Sequence, residues 1–311
     1  MIEINNLVKH YGDKRALKGI SFTVNDDEVL GFLGPNGAGK TTTMNIITGF
    51  LSSTSGTVKV NGHDILEEPE LAKKDIGYLP EQPPLYLDMT VKEYLSFICD
   101  LKGLKKEDRK AQLDAIISMV KIGDVTDRLI GNLSKGYKQR VGIAQALVGD
   151  PSILILDEPT VGLDPNQVME IRKLIKTLSK THSIIISSHI LSEIQAIADR
   201  VVIINNGKVA AVDTITDLSK RLSGSSRLLL SFQGPLKDVS ASIRSIPGVA
   251  NVVTRNSSDK LHEVEIVISN TSADIRASIF FVMAKGGWPI FEFRSLDPTL
   301  EEVFLSITSG K

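Results

Sequence analysis

The sequence has little cysteine, no long hydrophobic run and no surplus of charge of either sign. One cysteine among 311 residues, Cys99, excludes an intramolecular disulfide and fits a reducing compartment. It lies in an apolar stretch with helical spacing, which indicates a core position rather than a reactive thiol. The longest apolar runs, at residues 153–156, 201–204 and 279–284, are far shorter than the ~20 residues that cross a bilayer. We therefore expect a soluble protein, and any work at a membrane requires another polypeptide to span it.

The charge balance and the N-terminus exclude two further classes of protein. The chain carries 36 Lys and Arg against 37 Asp and Glu, and residues 222–311 carry nine of each. No part is basic enough to hold a nucleic-acid backbone along its length, so nucleic acid is not an expected partner. The first six residues lack the charged and then apolar layout of a secretory signal, which favours a cytoplasmic location.

Residues 1–220 are predicted to form one domain. Its strands and helices alternate, which is typical of an α/β fold with a mostly parallel sheet covered on both faces. A helical block over about residues 88–145, opened by a capping box at Thr90 and Glu93, interrupts this core. The predicted strands lie at residues 2–8, 20–24, 29–33, 57–60, 76–79, 153–156, 184–187 and 201–204.

Residues 227–311 are predicted to form a second domain after a polar linker at residues 220–226. Predicted strands at 228–232, 249–255, 261–269 and 290–293 and helices at 236–246 and 272–284 alternate in the order β-α-β-β-α-β. That order predicts a small ferredoxin-like α+β domain. A final helix is expected to begin at Asp297 and Pro298.

A glycine-rich segment follows the predicted strand at residues 29–33 and matches the phosphate-binding pattern G-x-x-x-x-G-K-[ST] in its required context. Glycines let backbone N–H groups converge on a polyphosphate, and the N-terminus of the next helix adds a favourable dipole. Lys40 is predicted to bind the β- and γ-phosphates and the Thr41 hydroxyl to ligate Mg²⁺. The residues expected to bind ATP here are Gly34, Pro35, Asn36, Gly37, Ala38, Gly39, Lys40, Thr41 and Thr42.

Two carboxylates end the apolar run at residues 153–156. Because side chains alternate along a strand, the adjacent acids Asp157 and Glu158 can take different roles. Asp157 is predicted to hold Mg²⁺ through water, and Glu158 to polarise the water that attacks the γ-phosphate. An acidic strand end that faces solvent is the alternative interpretation.

Residues 133–140, Leu-Ser-Lys-Gly-Tyr-Lys-Gln-Arg, resemble the L-S-G-G-Q signature of ABC ATPases. Three further motifs agree with that family in order and context. Gln82 resembles its Q-loop glutamine, residues 162–164 resemble its D-loop, and His189 resembles its switch histidine. Tyr11 lies where the family places the aromatic side chain that stacks on adenine. Each match is weak alone, but together they cover roughly the first 220 residues.

Two positions depart from that signature, since Lys135 replaces a glycine and Tyr137 replaces the glutamine. In the family, the signature of one subunit contacts the γ-phosphate bound to another through the serine and the N–H of the following glycine. Ser134 and Gly136, which this contact needs, are both present. The two replacements therefore bear on the geometry of this contact and on the rate of ATP hydrolysis, and they do not change the resemblance to the family.

The resemblance implies an ABC-type ATPase that pairs head to tail with a second copy or a related subunit around two ATP molecules and Mg²⁺. Glu158 would be the base, and His189 would hold the γ-phosphate and the water. Gln82 would join the metal site and transmit opening to a separate membrane permease, which would hold the protein at the cytoplasmic face. Asp164 would lie at the nucleotide interface. It is equally a good N-cap before Pro165, and the sequence does not separate these two roles.

Residues 295–304 resemble the ending of ABC-2 exporter ATPases, similar to those of drug-export and gliding-motility systems. This favours an exporter subunit, although packing alone explains a capped helix with an apolar face. An ABC-type ATPase that acts as a nucleotide-dependent switch without transport is the alternative. Translation factors of the family usually carry two cassettes, and its DNA-repair members separate the nucleotide motifs by a long coiled coil. Here one cassette is present, and Lys40 and Asp157 are 117 positions apart without the sustained heptads of a coiled coil. Both of these branches of the family are therefore disfavoured.

Overall fold

The computed structural model describes residues 1–222, 227–258, 261–269, 275–296 and 300–308, which form two compact units centred on Met1–Ile215 and Thr216–Ser306. The strands of the first unit are β1 (Ile2–Tyr11), β2 (Lys14–Val24), β3 (Val29–Leu33), β4 (Ser55–Val60), β5 (His63–Asp64), β6 (Ile76–Leu79), β7 (Ile153–Asp157), β8 (Ser183–Ser187), β9 (Arg200–Asn205) and β10 (Lys208–Thr214). Its helices are α1 (Lys40–Ile47), α2 (Pro69–Lys74), α3 (Val91–Leu101), α4 (Lys106–Val120), α5 (Lys135–Leu147), α6 (Pro165–Leu178) and α7 (Leu191–Ile197). Helix α8 (Ile215–Leu222) follows β10 and begins the second unit.

The central sheet has the strand order β10-β9-β3-β8-β7-β6. Its strands pair in parallel except for β10, which runs antiparallel to β9 at one edge. Strands β3, β7 and β8 are buried at every position, as expected of parallel strands covered on both faces. The structure therefore confirms the predicted α/β core.

A second, antiparallel sheet with the order β2-β1-β4-β5 packs against the central sheet. One continuous hydrophobic core joins side chains of both sheets and of α1, among them Ile4, Leu17, Phe32, Met44 and Ile155. The rings of Phe22 and Phe32 lie 5.4 Å apart between their centroids and connect the two layers. This packing fixes α1, and with it the loop that precedes α1, against the sheet.

Helices α3, α4 and α5 form the block inserted between β6 and β7. The predicted capping box starts α3, because Thr90 Oγ1 accepts from the Glu93 N–H at 3.2 Å and the Glu93 carboxylate accepts from the Thr90 N–H at 2.8 Å. Tyr94, whose hydroxyl lies 2.5 Å from Gln145 Oε1, joins α3 to α5. Cys99 is fully buried, which confirms its core position, and burial raises the pKa of its thiol.

The second unit contains β11 (Arg227–Phe232), α9 (Leu236–Arg244), β12 (Val249–Ser257), β13 (His262–Ile268), α10 (Arg276–Lys285), β14 (Ile290–Ser295) and α11 (Leu300–Thr308). Its sheet is antiparallel with the order β12-β13-β11-β14, which is the arrangement of a ferredoxin-like domain. Leu230, Phe232, Val264, Ile266 and Met283 are buried at the centre of its core. The predicted fold class of this part is therefore confirmed.

Some sequence predictions need correction or lie beyond the structure. Strand β10 was missed, and the linker predicted from Lys220 begins later, because α8 continues to Leu222. The rest of that linker, the predicted start of a helix at Ser272 and the Asp297-Pro298 helix start lie outside the described residues. In the described parts of the chain, no helix combines the length and the hydropathy that a membrane span requires.

Candidate functional site

The glycine-rich segment connects β3 to α1 at the carboxyl edge of the central sheet. Gly37 and Gly39 have φ values of +76° and +113°, which favour glycine. A Cβ on Gly34 would lie 2.5 Å from the backbone oxygen of Ile204, so no larger residue fits without movement. The Lys40 ammonium donates to the carbonyl oxygen of Gly34 at 2.6 Å and lies 3.4 Å from that of Pro35. The lysine is thus folded over its own loop.

A cavity of about 440 Å³ opens beside this loop. Tyr11, which ends β1 and is 47% exposed, lines the cavity together with the loop. The structure therefore brings the predicted adenine-stacking side chain to the predicted phosphate site. The other lining residues are Lys14, Ala16, Asn36, Gly37, Gly39, Lys40, Thr41 and Thr42. Of the remaining loop residues, Gly34 and Ala38 are buried and Pro35 is exposed.

Asp157 ends β7 next to Ser187, the last residue of the neighbouring strand β8. The Ser187 hydroxyl donates to Asp157 Oδ1. Burial raises the pKa of the Asp157 carboxyl, and the nearby charges of Glu158 and Glu81 raise it further, whereas Ser187 and Lys40 lower it. Burial and the charge of Asp157 also raise the pKa of Tyr78 to about 12. The end of β7 is therefore a place where burial and neighbouring carboxylates disfavour the charged form of Asp157.

Glu158 follows Asp157 with a left-handed backbone, φ +49°, which is uncommon for a residue with a side chain. Its N–H donates to the carbonyl oxygen of Ser187 at 3.2 Å and to the Ser187 hydroxyl at 3.0 Å. Glu158 Oε2 lies 2.7 Å from His189 Nδ1 and accepts from the His189 N–H at 3.3 Å. The carboxylate is almost buried, while the histidine side chain is half-exposed. The structure thus pairs the predicted base with the predicted switch histidine.

Gln82 is exposed in the loop after β6. Among the described contacts, none joins it to Lys40, Thr41 or Asp157. It instead lines two cavities, one of about 560 Å³ between the central sheet and α3 and one of about 340 Å³ beside α5. Its neighbour Glu81 is the residue whose charge acts on Asp157. The predicted role of Gln82 at a metal is therefore not visible in these contacts.

Ser134 is the N-cap of α5, and its hydroxyl accepts from the Tyr137 N–H at 3.4 Å. Gly136 is buried against α6, because a Cβ there would lie 2.6 Å from Cδ of Gln167. The Tyr137 hydroxyl, at the position that departs from the signature, lies 2.6 Å from Asp124 Oδ2. Ser134 and Gly136 do not line the cavity beside the phosphate loop of their own chain.

The D-loop residues lie between Glu158 and α6. Asp164 is the N-cap of α6, where Oδ1 accepts from the N–H groups of Asn166 and Gln167, each at 3.0 Å, and Pro165 occupies the first turn. The predicted capping role is confirmed. Gly162, with φ +68°, lies against Lys135, since a Cβ there would be 2.2 Å from Lys135 Nζ. The lysine that replaces a signature glycine thus contacts the D-loop of its own chain.

Sequence reasoning missed four polar side chains near Glu158 and His189, namely Thr160, Ser187, Ser188 and Glu193. Ser187 bonds both acids, and the buried carboxylate of Glu193 accepts from the hydroxyls of Thr160 and Ser188. The Ser187 position follows from strand order, because the carboxyl ends of adjacent parallel strands meet at one edge. No sequence pattern distinguished Glu193 from the other acids on helix surfaces.

The side chains near the end of β7 bear on the predicted Mg²⁺. Among the described residues, no three His, Cys, Asp or Glu side chains cluster as an all-protein metal site. Mg²⁺ commonly takes one or two protein oxygens together with water and phosphate oxygens, so such a cluster is not required. The buried, negatively charged surroundings of Asp157 fit a divalent cation, since it would offset the unfavourable charge there.

The α/β core, the glycine loop folded around Lys40 and the acids at the end of β7 define the chain as a phosphate-loop nucleotide-binding protein. The family model described as "ABC transporter" matches residues 17–161. The linearmycin resistance ATP-binding protein LnrL of Bacillus subtilis is 34% identical over 312 residues, covering 99% of this chain and 98% of the relative. The bacitracin transport ATP-binding protein BcrA of Bacillus licheniformis is 33% identical over 319 residues, covering 100% and 98% of the two chains.

Solved structures of ABC transporter cassettes are also similar to this chain. An ATP-binding subunit of an ABC transporter superposes with a TM-score of 0.66 at 30% identity, covering 71% of this chain and 93% of that chain. A dimeric ATP-binding cassette in a post-hydrolysis state, bound to ADP and Pi, superposes with a TM-score of 0.62 at 25% identity, covering 69% and 99% of the two chains. The chain therefore belongs to the ABC transporter family, in which it is an ATP-binding subunit and an ATPase.

Proposed function

We propose that this chain powers an exporter, and that two copies, or one copy and a related ATPase subunit, enclose two ATP molecules at their interface. The observation that carries the proposal is the separation of two half-sites on one chain. The phosphate loop and Tyr11 line one cavity, whereas Ser134 and Gly136 lie elsewhere and do not line it. A second copy is needed to bring a signature to each phosphate loop.

The signature end of α5 suits contact with a phosphate. The first N–H groups of a helix have no acceptor within it, and Ser134 satisfies that of Tyr137. The N–H groups of Lys135 and Gly136 precede it in the same turn and can bind a γ-phosphate oxygen from the partner. Lys135 adds positive charge at this end. ATP would thus hold the pair together, and the pair would open after hydrolysis.

Each site would combine residues that bind ATP, activate water and hold the metal. Lys40 would leave the carbonyls of Gly34 and Pro35 and bind the β- and γ-phosphates, and Tyr11 would stack on adenine. Glu158 would accept a proton from the attacking water while His189 holds that water and the γ-phosphate. Mg²⁺, held by Thr41 and Gln82 and, through water, by Asp157, would offset the charge on the β- and γ-phosphates. Asp164 would lie at the interface while it caps α6.

We propose that the cavity of about 560 Å³ between the sheet and α3 receives the permease. Phe50, which is 83% exposed, lines it together with Leu101, and large exposed apolar side chains of this kind mark interaction sites. Gln82 lines both this cavity and the one that contains Lys135, so it lies where motion of the signature could reach the permease. The permease would be a separate ABC-2 type membrane protein, which would place this chain at the cytoplasmic face.

Export is favoured by the relatives, two of which are named for linearmycin resistance and for bacitracin transport. Both match over nearly the whole chain, including the second unit. We propose that residues 1–220 are the ATPase domain, with a helical subdomain at about 88–145, and that residues 227–311 are an accessory domain. An ATP-dependent switch without transport remains the second candidate, and co-purification of a permease with the chain distinguishes the two.

A mixing experiment tests whether the ATP sites are shared between chains. Lys40→Ala and Ser134→Arg each inactivate both sites of their own homodimer. In a mixed dimer, the Ser134→Arg chain still supplies Lys40 and the Lys40→Ala chain still supplies Ser134. These two residues meet in one of the two sites, so one complete site is restored. We expect the mixture to hydrolyse ATP faster than the sum of the separate variants. Mixtures with no gain over a range of ratios, although co-purification of differently tagged variants shows mixed dimers, would contradict the shared site.

A further inference from the structure

We propose that Glu193 is a positioning residue for hydrolysis that holds the segment carrying Glu158 and the segment carrying His189 in a fixed relation. The inference rests on the proposed roles of Glu158 and His189. It assigns a function to a buried carboxylate that touches neither the phosphate loop nor Glu158.

Glu193 lies in the first turn of α7, is 3% exposed and faces three polar partners. Its Oε2 accepts from the hydroxyl of Thr160 and, over 3.5 Å, from the hydroxyl of Ser188. Its Oε1 lies 3.7 Å from Nη2 of Arg172 on α6. A buried carboxylate without partners is costly, so these groups hold it and are held by it.

The two hydroxyl partners connect Glu193 to both halves of the hydrolytic pair. Thr160 is two residues after Glu158, and Ser188 directly precedes His189. His189 Nδ1 in turn lies 2.7 Å from Glu158 Oε2. The contacts therefore close a ring that runs from Glu158 through Thr160, Glu193, Ser188 and His189 back to Glu158. Opening the ring at Glu193 removes the link between Thr160 and Ser188, so that the two segments are joined only by the contacts of Glu158 with Ser187 and His189.

Together with the bonds from the Glu158 N–H to Ser187, this ring helps to maintain the uncommon backbone at Glu158. The left-handed residue needs surroundings that determine its conformation, and the segment after it is anchored at Thr160. Small displacements of a base or of a water-holding group are enough to slow a reaction on the order of ten- to hundredfold. Glu193 does not line the ATP cavity, so losing its contacts should slow turnover without weakening ATP binding.

The test is a set of threonine substitutions in the full-length protein, with ATPase kinetics measured per folded molecule. Thr160→Val keeps the shape and removes the hydroxyl that donates to Glu193, whereas Thr160→Ser keeps the hydroxyl. Thr177→Val is the matched control, because its hydroxyl donates to the carbonyl of Lys173 at 3.0 Å on the surface of α6. We expect Thr160→Val to lower kcat at least tenfold with the KM for ATP within twofold, Thr160→Ser to restore most of kcat, and Thr177→Val to match the unmodified protein.

Two results would overturn the inference. One is a Thr160→Val protein with unchanged kcat, and the other is a loss that Thr160→Ser does not restore, which would indicate a packing role. Glu158→Gln is measured in the same series to separate this inference from the proposed function. If Glu158→Gln hydrolyses ATP normally, the assigned base is wrong. If Glu158→Gln is inactive while Thr160→Val is normal, only the role of Glu193 is wrong.

Discussion

Replacement of Glu158 by glutamine changes one charge and almost no shape, so its effect on turnover can be derived from the contacts of the residue. The amide oxygen can occupy the place of Oε2 and keep the contacts with His189 at 2.7 and 3.3 Å. The backbone bonds to Ser187 do not involve the side chain and stay in place. The variant therefore loses the ability to accept a proton and retains the geometry.

The expected magnitude follows from that loss. General-base catalysis contributes typically about 10²–10⁴-fold. That range corresponds to about 2.7–5.4 kcal/mol of transition-state stabilisation. Glu158 is only 8% exposed, so bulk water has little access to replace the carboxylate as proton acceptor. We expect kcat to fall on the order of a thousandfold, while ATP affinity stays within twofold because Glu158 does not line the nucleotide cavity.

The assay is steady-state phosphate release with Mg²⁺ and ATP, combined with a direct measurement of ATP binding. Glu70→Gln is the control, since it makes the same chemical change on an exposed position of α2. ATP should also hold the Glu158→Gln protein as a dimer in size-exclusion chromatography with light scattering. A kcat above one tenth of the unmodified value, with ATP binding intact, would refute the assignment of Glu158 as the base.

Three further predictions concern stability and the phosphate loop. The pKa of Asp157 is raised in the folded protein, so ionisation of this carboxyl destabilises the fold as pH rises above its ordinary value near 3.8. Asp157→Asn, measured without Mg²⁺, should therefore raise the Tm at pH 7.5 and raise it by less near pH 4. An equal rise in Tm at both pH values would contradict this reasoning. Gly34→Ala should destabilise the first unit by about 1–3 kcal/mol in urea unfolding and abolish ATP binding, because its Cβ meets the backbone oxygen of Ile204 at 2.5 Å. Thr90→Ala should lower the free energy of unfolding by about 1 kcal/mol because the capping box is lost, whereas Thr90→Ser should lower it only slightly. Equal decreases for both variants in urea unfolding would exclude the hydroxyl as the cause.

Local sequence signals predicted much of the fold. The predicted bounds at β3 and β6 agree with the structure, because β3 is fully buried, β6 is mostly buried, and the glycine loop after β3 has strict backbone requirements. The missed strand β10 had a signal, since Asn206 and Gly207 form the turn between β9 and β10 with φ values of +51° and +75°. The same Asn-Gly pair follows β4 at residues 61–62, where the φ values are +49° and +88°.

The side-chain contacts of the site were less accessible to sequence reasoning. The sequence indicated Asp157, Glu158 and His189 singly, and the resemblance to a family connected them. The contact between Glu158 and His189 depends on how the two strand ends lie side by side, which a single sequence does not record. Ser187 and Glu193 are polar residues of common types, and their roles follow only from their buried partners.

The left-handed backbone at Glu158 has a consequence for chains of this kind that lose hydrolysis. Glycine adopts that conformation without strain, so a glycine at position 158 should fold at least as well as glutamate, although it cannot accept a proton. Stability and turnover therefore favour different residues at the same place. A descendant that needed only to bind nucleotide would have no reason to keep glutamate there, and a glycine at this position would mark a binding protein rather than an enzyme.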